Sequence, residues 1–147
     1  MDHTKKAAEL FEGGYNCAQA VAAAFSDVTG LTPAQSAKLV SGFGGGMGRM
    51  REVCGAVSGM VFVVSNLDGY DTPDPDAQMA IYATIQELAG KFREEVGSII
   101  CRDILKNPPS DPKPTPRDGN FYATRPCTRI VEVAAAILDE YIISRNP

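Results

Sequence analysis

Turn and capping residues cut this sequence into helix-length segments with no alternating strand between them, and that punctuation restricts the chain to an all-α fold. Residues 4 to 12 form an amphipathic stretch that stops at Gly13-Gly14. Asn16 is placed to cap a helix from Cys17 to about Asp27. Thr32-Pro33-Ala34-Gln35 combines a capping hydroxyl, Pro at the first helical position and Gln three residues after the cap, which starts a third helix. A fourth is expected over Val53 to Leu67, closing at Asp68-Gly69. Asp74-Pro75 opens a fifth, in which Ile81, Ile85, Leu88, Phe92 and Val96 recur every three or four residues along one face. Ser98 is placed to cap a short helix through Cys101 to Leu105. The last helix begins near Pro126 and carries Ile130, Ala134, Ile137 and Tyr141 on one stripe. The expectation is a compact single-domain bundle of about six to seven helices spanning residues 1–147.

Two segments escape this periodicity. Gly42-Phe43-Gly44-Gly45-Gly46-Met47-Gly48 is too glycine-rich for a regular helix. It fails Gly-x-Gly-x-x-Gly at its last position, with no strand before it and no Gly-Lys-Ser/Thr after it, so it reads as a connection whose amides face a site rather than a nucleotide loop. Between Lys106 and Ala123 lie five of the ten prolines, which predicts a long irregular connection, either a surface wrap or a lid.

A net charge of −4 and no long Lys/Arg run leave nothing to attract nucleic acid. The most apolar stretch, 53–67, falls short of the roughly 20 residues a bilayer requires, so no membrane insertion is expected. The N-terminal residues lead into an amphipathic helix rather than an export signal, and a cytoplasmic, reducing compartment follows. His3, the only histidine, is expected in solvent, which removes Cys-His nucleophilic catalysis. Asp68, Asp71, Asp74 and Asp76 read as a solvated turn with a helix cap, because the spacing of a calcium loop is absent.

In a reducing compartment, four cysteines need a reason other than permanent disulfides. Cys17, Cys54, Cys101 and Cys127 contain no Cys-x-x-Cys pair, so a shared site would have to be assembled from four helices. Each falls at or near a predicted helix start, where free amides and the macrodipole favour thiolate; Arg102 beside Cys101, and Arg125 and Arg129 around Cys127, would add to that. Four thiolates brought together must bind a cation or cluster, pair as disulfides, or stay protonated and apart. Gly55 and Gly59 share a helix face, which permits either tight helix packing or close approach of a cofactor.

The four cysteines in order, with Cys54-Gly55-Ala56-Val57-Ser58-Gly59 after the glycine-rich run, resemble the C_GCAxxG_C_C family over almost the whole chain. The resemblance implies a redox-active protein with a bound prosthetic group such as an iron-sulfur cluster. It puts Cys17, Cys54, Cys101 and Cys127 at the family's four cysteine positions, and Gly55, Ala56 and Gly59 in the rest of its motif. Three readings stand open. One is an iron-sulfur or other thiolate-bound metal site for electron transfer or redox sensing, served by a redox partner protein. The second is a metal-free thiol-disulfide protein, with Cys101 and Cys127 the first pair to test. The third is a non-catalytic accessory or binding module with structural cysteines. A homo-oligomer is compatible with all three.

Overall fold

A computed structural model describes residues 2–145. Among the described residues the secondary structure is helical, with one isolated antiparallel bridge between Val53 and Ile100. The α-helices are α1 (His3–Glu12), α2 (Cys17–Ala24), α3 (Ser26–Thr29), α4 (Pro33–Leu39), α5 (Gly55–Asp68), α6 (Pro75–Val96), α7 (Cys101–Leu105), α8 (Gly119–Thr124) and α9 (Cys127–Arg145), with a 3-10 turn at Ser41–Phe43. The all-α expectation holds, with more and shorter pieces than the six to seven foreseen.

The axis of the bundle is α2. Six of its eight residues are buried, five of them alanine, so neighbouring helices can approach it from several sides. It packs against α1, α4, α5 and α9. Its tightest neighbour is α5, and glycine is the reason. A Cβ on Gly59 would lie 2.8 Å from Val21 Cβ and 3.0 Å from the Ala18 carbonyl oxygen; one on Gly55 would lie 3.1 Å from the Ala18 nitrogen. The shared glycine face is therefore a helix-packing face. The core around it joins Phe11, Phe25, Met60, Val63, Val64, Phe92, Ile130, Val131 and Leu138.

The capping residues act as expected. Asn16 and Gln19, and Thr32 and Gln35, form reciprocal capping boxes, while the Asp74 carboxylate accepts from the amides of Asp76 and Ala77. Four starts and stops differ from the reading above. The helix from Cys17 breaks at Phe25, whose amide reaches back to Ala22, and α3 then carries Asp27 in a new direction. The helix expected from Val53 starts at Gly55, because Val53 is held in the bridge to Ile100. Ser98 accepts from the Ile100 amide but caps no helix, so Cys101 is the first residue of α7 rather than the third. In the proline-rich connection, Asp118 accepts from the Phe121 amide and starts α8, which buries Phe121 against Phe11.

His3 is not in solvent. It is buried, stacked on Phe25 at 4.1 Å, with Nδ1 2.6 Å from Asp139 and Nε2 2.9 Å from Asp27. Phe25, at the break, covers the face of the ring, and Asp27, in the short helix that follows, meets its Nε2 edge. The acidic turn behaves as read at Asp74, while Asp68 is drawn into contact with Tyr141 and a two-pronged pair with Arg145. No helix among the described residues is long and apolar enough to cross a membrane.

Candidate functional site

All four cysteines line one cavity of about 380 Å³. Cys17, Cys101 and Cys127 are the first residues of α2, α7 and α9, and Cys54 is the N-cap of α5. The cavity therefore sits where four helix starts meet. None of the four thiols is in a disulfide.

Backbone pairing sets Cys54 and Cys101 side by side. The Cys54 amide donates to the Ile99 carbonyl at 2.8 Å, the Cys101 amide to Glu52 at 2.6 Å and the Arg102 amide to Arg51 at 3.1 Å. The amides at the start of α7, with no side chain to cap them, are thus satisfied by the segment that leads into α5.

The glycine-rich run is an ordered left-handed turn. Gly45, Gly46, Met47, Gly48, Arg49 and Arg51 all have φ between +56° and +74°. For Met47, Arg49 and Arg51 this conformation costs about 1–2 kcal/mol each. The amides of Met47 through Glu52 donate to carbonyls within the loop, so these six do not face the thiols as expected. The loop instead delivers side chains. A Cβ on Gly46 would come within 2.7 Å of Cys101 Cβ, and one on Gly44 within 2.4 Å of the Asn16 side chain that caps α2. Glycine at these two positions lets the loop close against Cys101 and against the cap of the helix that carries Cys17.

Arg51, buried at the end of that turn, reaches the sulfur of Cys101 with Nη1 at 3.6 Å and donates from Nε to the Pro109 carbonyl at 2.9 Å. Arg49 donates to the Asp111 carbonyl and, at 2.6 Å, to Thr115 Oγ1. Arg117 donates to the carbonyls of Phe11 and Tyr15 while lying over the Phe11 ring. These three latch the proline-rich segment over the cavity, where Pro112, Pro114 and Thr115 form part of the wall. With Arg125, four guanidinium groups line the cavity, and among the described residues no carboxylate does.

The expected uniform lowering of the thiol pKa values does not hold. Hydrogen bonding with Cys127, burial, and the charges of the other three cysteines hold Cys17 well above the usual thiol range. Burial pushes Cys54 up to about 12, against the opposing pull of the Ala56 and Val57 amides at the start of α5. Cys127 goes the other way: hydrogen bonding with Cys17 lowers it against the opposing effect of burial, and the charges of Arg125, Arg117 and Arg51 add to the lowering. Desolvation and mutual repulsion override the helix ends at Cys17 and Cys54. Two of the predicted helper cations are also elsewhere, since Arg102 pairs with Glu52 at 2.7 Å and Arg129 reaches Glu95. Arg125 does contribute; Arg49, Arg51 and Arg117 had no sequence signal beyond their positive charge.

Of the motif residues, Gly55 both lines the cavity and packs on α2, whereas Ala56 and Gly59 are buried between helices. Among the described residues, no three Cys, His, Asp or Glu side chains are gathered closely enough to hold one metal ion.

An all-α bundle that presents four unpaired thiols to one arginine-lined cavity defines a four-cysteine helical protein. The chain belongs to the C_GCAxxG_C_C family, described as "Putative redox-active protein (C_GCAxxG_C_C)", whose sequence profile matches residues 15–141. No curated protein and no solved structure matches the chain.

Proposed function

We propose that Cys17, Cys54, Cys101 and Cys127 hold an iron-sulfur cluster and that the protein uses it to accept and donate single electrons, with a redox partner protein as the source or destination. The observation that carries this is the convergence of four thiols, from four helix starts, on a cavity of about 380 Å³. A chamber of this volume lined by four thiols has room for a group of several atoms.

The donor chemistry fits as well. Four thiolates around a cluster core carry net negative charge, and Arg49, Arg51, Arg117 and Arg125 supply positive charge with no lining carboxylate to compete. When bound, the cluster supplies one-electron chemistry. The chain's own residues supply the rest: Arg51 counters charge at Cys101, the Ala56 and Val57 amides offset part of the burial cost of an anion at Cys54, and Pro112, Pro114 and Thr115 of the proline-rich segment form part of the wall around the sulfurs.

Protein made and purified without oxygen tests this. It should be brown, contain iron and acid-labile sulfide, and bleach on reduction; colourless protein lacking both refutes the reading.

A second reading has its own observation. Cys17 and Cys127 lie close enough to shift each other's pKa in opposite directions, which puts this pair ahead of Cys101 and Cys127, the first pair to test on sequence, for thiol-disulfide chemistry in a metal-free protein. Mild oxidation followed by peptide mapping should then yield a Cys17–Cys127 disulfide.

A further inference from the structure

The guanidinium groups of the cysteine chamber are not all committed to the thiols or to the latch. Among the described residues only Arg49 of the four has an acid within reach, Asp111 at 3.3 Å, and that carboxylate does not line the chamber. Arg51, which is buried, meets the Cys101 sulfur and the Pro109 carbonyl. Arg117 and Arg125 remain.

These two stand around one ring. Their Cζ atoms each lie 5.3 Å from the centre of Phe121, which with Phe11 and Ile130 gives this end of the chamber an apolar wall next to Cys127. Both charges act on the Cys127 sulfur, so both forks stand near the same thiol. Arg117 donates from Nη1 and Nη2 to the carbonyls of Phe11 and Tyr15, which are neutral acceptors. Its Nε, and the whole fork of Arg125, meet no acceptor oxygen among the described residues.

A cation against apolar side chains has lost part of its water, and in a half-enclosed space its charge acts through a lower dielectric. Such a group calls for an acceptor of opposite sign, and this wall offers no carboxylate. The chain as a whole carries a net charge of −4 and repels anions, so an acid-free group of arginines is a local exception to its electrostatics. Guanidinium forks pair with planar or tetrahedral oxyanions through parallel N–H···O bonds. A chamber of about 380 Å³ limits the occupant to a small molecule.

We propose that the Phe121 end of the chamber binds a small oxyanion, with the shared chemistry of a carboxylate, phosphate or sulfate group, held by Arg117 and Arg125 beside Cys127. The inference rests on the electron-transfer reading for the ligand's role, as the small molecule admitted to the thiol centre, but not for its binding.

The test is calorimetric titration of the full chain with sodium phosphate and with sodium sulfate, at an ionic strength held constant with chloride. It is run on protein purified without oxygen and on the same protein after chelation of iron. Both probes should bind at one site in both preparations. Arg125→Gln should weaken binding by about tenfold or more, as loss of a charged hydrogen-bond partner does. Arg125→Lys, which keeps the charge and loses the fork, should fall between. Arg125 holds no other element by hydrogen bonds among the described residues, and circular dichroism verifies the fold. Lys113→Gln is the control: it removes a charge from the proline-rich segment that does not line the chamber, and should change binding by less than about twofold. Absence of binding overturns the inference, as does binding that Arg125→Gln leaves intact or that Lys113→Gln weakens equally. So does a probe that binds only after chelation and is expelled when iron returns, since the guanidinium groups would then serve the cluster alone. Colourless, iron-free protein that binds phosphate through Arg125 supports the oxyanion site and removes the cluster.

Discussion

Replacing Gly59 by alanine should force α5 away from α2. The added Cβ would sit 2.8 Å from Val21 Cβ and 3.0 Å from the Ala18 carbonyl oxygen. Neither neighbour can rotate aside, because one is anchored to the backbone and the other is helix backbone. Carbon atoms pack at about 3.5–4.0 Å, so the helices must part by roughly 1 Å. Overpacking of this kind costs about 1–3 kcal/mol, against a gain of up to about 1 kcal/mol from replacing glycine inside a helix. The net expectation is a loss of about 1–2 kcal/mol, or about 2–8 °C in Tm for a chain of this size. Gly90 is the control: it lies inside α6 with nothing within 4 Å of its would-be Cβ. Gly90→Ala should therefore stabilise by up to about 1 kcal/mol. Urea titrations of both variants, with the slope unchanged, measure the contrast. Because α2 begins at Cys17 and α5 follows Cys54, Gly59→Ala should also weaken retention of whatever the thiols bind. A Gly59→Ala protein as stable as the parent, or a Gly90→Ala protein as damaged as Gly59→Ala, would refute the packing argument.

Three further outcomes follow from contacts described above. Arg51→Met removes the link between Cys101 and the Pro109 carbonyl, so trypsin should cut faster at Lys106 and Arg117, at the two ends of the proline-rich segment; unchanged cleavage would show that the latch is unimportant. His3→Ala leaves Asp27 and Asp139 without their shared partner and should lower stability by about 1–2 kcal/mol, read from denaturant midpoints. Burial raises the Asp68 carboxyl pKa, but hydrogen bonds from Arg145 and Tyr141 and the Arg145 charge outweigh this and hold it below its ordinary 3.8. A carboxylate with a lowered folded-state pKa stabilises fully above the unfolded value and loses that contribution as pH falls through the folded one. The Tm gap between the parent and Asp68→Asn should accordingly be present at pH 7 and shrink below about pH 4; a gap that grows in acid would reverse the sign.

The parts of this molecule readable from sequence are those with local causes. Asn16, Thr32 and Asp74 cap their helices through groups two or three residues away, and Cys17 stands at a helix start for the same local reason, whereas the starts at Cys54 and Cys101 are fixed by pairing between two distant segments. What was hidden depends on distant partners. His3 looks like a solvated terminal residue until the break at Phe25 brings Asp27 to it and α9 brings Asp139. Arg102 and Arg129 sit near cysteines along the chain yet find surface carboxylates, while Arg51 reaches Cys101 across fifty residues through a left-handed turn that no helix or strand preference describes. α8 was masked by the prolines before it, although Asp118 three residues ahead of the buried Phe121 is a capping signal. The opposite shifts of Cys17 and Cys127 required knowing that the two are buried together, since helix ends alone predict the same direction for both.

Native mass spectrometry of protein kept free of oxygen, set beside the same measurement on Cys17→Ala, Cys54→Ala, Cys101→Ala and Cys127→Ala, addresses the shared thiol centre most directly. The parent should carry a discrete added mass of iron and sulfide on the 15.7 kDa chain, and all four variants should lose it or hold it loosely. A parent at the bare chain mass, or lighter by the hydrogens of a disulfide, would contradict the account, as would full retention of the added mass in any of the four variants.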